Sequence, residues 1–300
     1  METHEAEKFI GNIIKNYIIT KYINHGSFGM VFEAQEITTK KLVALKIPIN
    51  NDIKKGQRCL IEEAKVYKKL NGGDGIANVD TIKNNGVEII VMDLLGLSLE
   101  NLLSNSKYKK FRLKSIIMLS IQLIENMKYI HSCGYLHRDI KPDNFVIGYN
   151  NKNKIYCIDF GIAKKYIKKN NQHIEFRTNL KFCGTARYAS IASHLGQEQS
   201  RKDDLESIGY LIIYLFRGSL PWSGIRHKDK NEKYRLICEK KRALNEEELC
   251  KELPKEFLVY LKYVRNMDFN EKPHYTSLIN MFQKLYDSKG YHNNNFEWSS

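Results

Sequence analysis

Four side chains in the middle of this 300-residue chain have the chemistry to move a phosphoryl group: Asp139, Lys141, Asn144 and, fifteen positions further on, Asp159. An aspartate such as Asp139 can accept or orient the proton of an attacking serine or threonine hydroxyl. Lys141 can neutralise charge that builds on the group in flight. The Asn144 amide oxygen and the ionised Asp159 carboxylate are hard oxygen ligands for a magnesium ion that also touches phosphates. A lone His137-Arg138-Asp139 would more often be a surface loop. The spaced set of Asp139, Asn144 and Asp159, with a lysine upstream, carries the meaning.

Several elements must position these groups. Phe145–Ile147 and Lys154–Ile158 read as a hairpin across Asn150–Asn153, which would bring Asn144 and Asp159 to one end. Pro142 fixes the turn before it. Lys114–His131 reads as a long helix with Ile117, Ile121, Ile124 and Met127 on its core side. His131 and His137 lack a nearby third ligand, so His137 is expected to be a structural ring under the loop rather than a metal ligand.

Upstream, Tyr17–Ile23 and Met30–Gln35 read as strands around Asn24-His25-Gly26-Ser27-Phe28-Gly29. Such a turn is usually a plain hairpin, although its glycines would let backbone N–H groups approach phosphate oxygens. Lys46, in the apolar run Val43-Ala44-Leu45-Lys46-Ile47, is costly to bury unless its ammonium meets anions. The predicted helix Gln57–Leu70, with Leu60, Ala64, Tyr67 and Leu70 on one face, offers Glu62 or Glu63 as its partner. Val87–Met92 reads as a strand, and Ser98 as the cap of a short helix beginning at Leu99.

Composition excludes several classes. Hydrophobic residues make up 42% of the chain and aromatic residues 11%, enough for a packed core. There is no apolar run of the roughly 18 residues that a membrane span needs. The polar start resembles no secretory signal, and no lipidation motif is present. The six cysteines include no Cys-x-x-Cys pair, so they read as free thiols rather than a zinc or disulfide framework. The net charge is +14 and the pI about 9.3. Such a balance suits nucleic acid, a membrane surface or an acidic protein. A nucleic-acid-binding module would also need a stacking or zinc motif, and none is recognisable. The basic run Arg226–Lys241 reads as a solvated face, with partner docking or nuclear import as rival readings.

Taken together, the chain resembles protein kinases from about Tyr17 to Tyr286, and more narrowly the casein kinase 1 family. The narrower resemblance rests on Leu94-Leu95-Gly96-Leu97-Ser98-Leu99-Glu100, His137–Phe145, Gly184-Thr185-Ala186-Arg187-Tyr188-Ala189-Ser190-Ile191, His194–Glu206 and Gly218-Ser219-Leu220-Pro221-Trp222. It implies an α+β, bilobal protein-kinase fold, with a small mainly-β N-lobe carrying one helix and a larger mainly-α C-lobe. The implied boundaries are an N-terminal extension 1–16, a kinase domain 17–286 (N-lobe 17–92, hinge 93–96, C-lobe 97–286) and a short polar tail 287–300.

The same resemblance implies a serine/threonine kinase that uses ATP and Mg2+. ATP would be bound by Ile23, Asn24, Gly26, Ser27, Phe28, Gly29, Val31, Ala44, Lys46 and Glu63, with Met92, Asp93 and Leu95 at the adenine. It selects Glu63 over Glu62, because Glu63-Ala64-Lys65-Val66-Tyr67 lines up with the family's Glu-Ser-Lys-x-Tyr. Asp139 and Lys141 become the catalytic pair, and Asn144 and Asp159 the metal ligands. Thr185 is implied to contact Asp139 and Lys141, and Asp204 to hold the backbone of the catalytic loop. Arg187, Gly224 and Lys233 form an implied anion site for protein substrates with acidic or phosphorylated residues N-terminal to the target. A monomer in the cytoplasm or nucleus, with no dedicated nucleic-acid site and no membrane anchor, completes the expectation. Two positions depart from the family: Asn24 replaces the first loop glycine, and Ala192 replaces the Asn of Ser-Ile-Asn. Neither position donates a catalytic side chain, so a stiffer loop is expected rather than inactivity. A pseudokinase scaffold is the alternative, with Asn24 as its support.

Overall fold

A computed structural model describes residues 6–26, 29–48 and 53–299, without the side chains of residues 53–55. The chain divides into two compact units, residues 1–96 with 157–161, and residues 97–156 with 162–300. The first is mainly β and carries a long helix, and the second is mainly helical, the α+β arrangement expected of the bilobal fold.

The sheet of the first unit runs β1 (Ile13–Ile14), β2 (Tyr17–Gly26), β3 (Gly29–Glu36), β4 (Leu42–Pro48), β6 (Val87–Asp93), β5 (Val79–Asn84) in spatial order. Every neighbouring pair is antiparallel. Because side chains alternate across a strand, the register sorts them onto two faces. One face gathers Ile19, Met30, Phe32, Ala34, Val43, Leu45, Ile47, Ile89 and Val91 into a core. Ala6 and Ile14, from the expected extension 1–16, belong to the same core. The opposite rows set Val31 against Lys46 and Ile90, and Ala44 against Met92. The helix Ile53–Leu70 covers part of this face through Leu60 and Ala64 against Ile90. It begins four residues before the Gln57 expected from the sequence, running through Gly56, which reads locally as a breaker. β5, passed over by the sequence reading, has only weak alternation in Val79-Asp-Thr-Ile-Lys-Asn.

In the second unit the helix Leu113–Ser132 is apolar nearly all round, from Ile116 to Ile130, and therefore runs through the core. It packs against the helices Arg201–Arg217 and Tyr275–Ser288, and the former also meets Lys255–Asn266. Ser98 caps Leu99–Asn105 in a capping box with Asn101, as its position predicts. The chain after Ser288 is not the free polar tail that its composition suggests. Phe296 is 1% exposed and stacks on Trp298 with ring centroids 4.4 Å apart. Glu297 accepts the Arg112 N–H at 3.0 Å, placing a carboxylate at an end of the Leu113 helix that has no side-chain cap of its own. All six cysteines are free, and no helix among the described residues is long and apolar enough to cross a membrane.

Candidate active site

In the first unit Lys46 and Glu63 form a buried pair. Lys46 is 5% exposed and Glu63 1%. Both Glu63 oxygens accept from Lys46 Nζ, at 2.8 and 2.7 Å, and Asp159 Oδ1 lies 3.3 Å from the same nitrogen. Burial works against the Lys46 charge, but Glu63 and Asp159 more than offset it and hold its pKa above the usual lysine value. Burial pushes the Glu63 carboxyl up against the opposing pull of Lys46. Glu62, the other candidate partner, instead pairs at the surface with Lys65 at 2.7 Å.

Asp159 sits at φ +65, a left-handed conformation uncommon for a residue with a side chain. Its N–H donates to the Tyr67 hydroxyl at 3.2 Å, and the Phe160 ring meets Tyr67 edge-on at 4.9 Å. The Phe160 N–H also bonds Glu63. Glu63 and Tyr67, one helical turn apart, thus hold the backbone of Asp159-Phe160 between them. Tyr67 reads in the sequence as a core residue, and nothing local reveals what its hydroxyl does.

The other nucleotide candidates of this unit fall into groups. Val31, Ala44, Lys46 and Met92 share one face of the sheet. Gly26 and Gly29 pair across the β2–β3 turn. Gly29 permits close approach, since a Cβ there would stand 2.5 Å from the Ile47 carbonyl oxygen. Ser27 and Phe28 lie outside the described residues. The Asn24 side chain accepts the His25 N–H at 2.8 Å, while Ile23 falls at a register irregularity and is 44% exposed. The Asp93 N–H is donated to Asn78 O at 3.1 Å and its carboxylate pairs with Lys41 at 2.9 Å, while Leu95 opens the strand Leu95–Ser98.

The second unit assembles Asp139, Lys141, Asn144 and Thr185. Asp139 Oδ1 accepts from the Thr185 hydroxyl at 2.7 Å, and its Oδ2 lies 3.0 Å from Lys141 Nζ. Asn144 Nδ2 donates to the Asp139 carbonyl at 2.8 Å, so the amide oxygen is the atom of that side chain able to act as a ligand. Gly184 makes the Thr185 contact possible. It has φ +107, and a Cβ there would lie 2.7 Å from the Arg138 carbonyl oxygen.

Beneath this loop Asp204 accepts the N–H groups of His137 and Arg138, both at 2.8 Å, and lies 2.9 Å from His131 Nε2. Burial alone would raise its pKa, but the His131 bond and charge outweigh it and hold the carboxyl below the usual aspartate value. The ring of His137 is fully buried, with Nδ1 accepting the Asp139 N–H at 3.2 Å. Both histidines are therefore engaged in hydrogen bonds that shape the loop. Among the described residues no cluster of three or more His, Cys, Asp or Glu is arranged to hold a metal.

Arg187, Gly224 and Lys233 line one cavity of 540 Å³, together with Thr185. The Arg187 guanidinium lies over the rings of Tyr214 and Tyr188, at 5.5 and 5.9 Å, and forms no ion pair among the described residues. Glu100 and Asp143 supply an acidic edge, and Glu100 is engaged by the Tyr214 hydroxyl at 3.2 Å. Lys241, expected on a solvated face, is instead fully buried behind this wall. The basic run around it gives no local signal that one of its members turns inward.

The family model described as the protein kinase domain matches residues 17–282, nearly the whole of both units, and the chain belongs to the protein kinase family.

Proposed function

We propose that the chain is an ATP- and magnesium-dependent serine/threonine kinase of the casein kinase 1 type, acting on hydroxyls that follow acidic or phosphorylated residues. The observation that carries this reading is the wall shared by two chemistries. Thr185, bonded to Asp139, lines the same cavity as Arg187 and Lys233. An anion taken up by a guanidinium and an ammonium there would lie beside the segment that meets the phosphoryl-transfer aspartate.

In this reading Asp139 orients the substrate hydroxyl and Lys141 offsets charge on the transferred group. Lys46, kept cationic by Glu63, receives the ATP phosphates, while Val31, Ala44 and Met92 form an apolar bed for the base. Each unit offers an oxygen donor of the kind magnesium takes, an ion held by one or two side-chain oxygens together with substrate phosphates. Asp159 offers a carboxylate and Asn144 an amide oxygen whose nitrogen is already committed. Magnesium held by such ligands would neutralise phosphate charge.

Transfer of label from γ-labelled ATP to paired peptides tests the reading. The pair differs only in a phosphoserine placed N-terminal to the target serine. Label is expected on serine, faster on the primed peptide, and absent for Asp159→Asn. Arg187→Ala with Lys233→Ala should raise KM for the primed peptide alone. Equal loss on both peptides contradicts the anion site, and ATP binding without any transfer favours the scaffold reading.

A further inference from the structure

The ammonium of Lys241, on the helix Lys230–Ala243, is buried without a carboxylate partner among the described residues. A desolvated ammonium persists only if its three protons find acceptors. Here two carbonyls take them, Ala186 O at 3.0 Å and Ala189 O, while His194 Nε2 stands 3.3 Å from the ammonium and 3.1 Å from Ala186 O. The rings of Tyr210 and Trp222 flank it at 4.8 and 5.1 Å. The carbonyl between its two backbone partners, Arg187 O, is taken by Trp222 Nε1 at 2.7 Å. The stretch between Thr185 and Ala189 belongs to no strand or helix. Its outward carbonyls are therefore aimed by side chains rather than by a ladder.

We propose that Lys241 is a positioning residue: by gripping Ala186 and Ala189 it fixes the course of residues 185–189, and so sets how tightly the Arg187–Lys233 cavity binds an acidic peptide. The proposal rests on reading that cavity as the substrate anion site.

Loss of a proton would remove the charge that strengthens both carbonyl bonds, and the grip would weaken. Burial draws Lys241 down to about 7. Of the groups facing it, Glu206 and Cys238 push upward and Arg265 pulls down. His194 is drawn to about 4, by burial first and then by Lys241, so it stays neutral near physiological pH. Tyr210, raised well above its usual value by burial, keeps its proton.

The test is the affinity of the full chain for a fluorescent oligo-aspartate peptide, whose charge is constant from about pH 6 to about pH 9. Wild-type affinity should fall about tenfold across that range, the equivalent of about 1.4 kcal/mol. Lys241→Met should bind about tenfold more weakly at about pH 6 and show no pH dependence. Lys241→Arg, cationic throughout, should keep its affinity to the alkaline end. Wild-type affinity that is flat with pH, or a Met variant that binds like wild type, overturns the proposal. If the Met variant does not fold, the wild-type profile and the Arg variant still decide. Transfer to an unprimed peptide, assayed on the same samples, reports separately on the kinase reading. A chain that transfers phosphate but shows neither pH effect keeps its function and loses this role for Lys241.

Discussion

The Asp204 carboxylate receives the Arg138 N–H at 2.8 Å, and Arg138 stands in the left-handed region at φ +67. A strained backbone persists only where its surroundings hold it. Asp204 holds this one from the helix Arg201–Arg217, just as Tyr67 holds Asp159 at φ +65 from the helix Ile53–Leu70. Each of the two loops that carry reactive side chains is thus pinned at its strained residue by a helix of its own unit.

Asp204→Asn offers one acceptor oxygen where three nitrogens now converge, and turns an NH2 group toward a buried donor. Stability should fall by about 1–3 kcal/mol in urea titration. The transfer rate should fall about a hundredfold with little change in KM for ATP. An unchanged rate would mean that the Arg138 conformation holds without Asp204.

Lys46→Met leaves Glu63 buried and uncompensated, and should cost about 3–5 kcal/mol of stability. Adding Glu63→Leu should restore much of that loss in a thermal melt, while transfer stays absent. Recovery of activity in the double variant would show that the ammonium has no direct part in the chemistry.

Phe296→Ala removes a fully packed aromatic from the C-terminal segment and should destabilise the second unit by about 3–5 kcal/mol. Chemical denaturation measures this. An effect within about 0.5 kcal/mol would mark the segment as a surface strand of chain.

Lys241 also predicts how stability varies with pH. Its folded-state pKa of about 7 lies below the unfolded lysine value, so the unfolded chain binds more protons between the two. The burial penalty is full below about pH 7 and shrinks as pH rises toward about 10. The stability of Lys241→Met relative to wild type should therefore be greatest near pH 6 and decline toward pH 9. A difference constant with pH would mean that the ammonium is not depressed.

Much of the chemistry is local enough to read from the chain. Asp139, Lys141 and Asn144 lie within one short loop, and their spacing survives any packing. The choice of Glu63 over Glu62 came from resemblance, and helix rotation explains it: one carboxylate faces Lys46 and the next faces Lys65. Strand alternation gives two faces to each strand, but only the register across strands puts Val31, Ala44, Lys46 and Met92 on one of them; before that, resemblance alone grouped them.

What the sequence alone determined is therefore the strand-rich and helix-rich halves and the reactive residue types, which depend on spacing and period, and, through the resemblance of its motifs, the protein kinase family. Only the tertiary structure decided which polar groups turn inward. Tyr67 looked like core, Lys241 like a solvated charge, and Phe296-Glu297-Trp298 like the end of a polar tail. Each gains its role from hydrogen-bond partners or rings far away in the chain: Tyr67 from the Asp159 N–H, Lys241 from the Ala186 and Ala189 carbonyls, and the C-terminal segment from the Phe111 ring and the Arg112 N–H. A buried polar atom is stable only beside its partner, and partners brought together by packing leave no periodic trace in sequence.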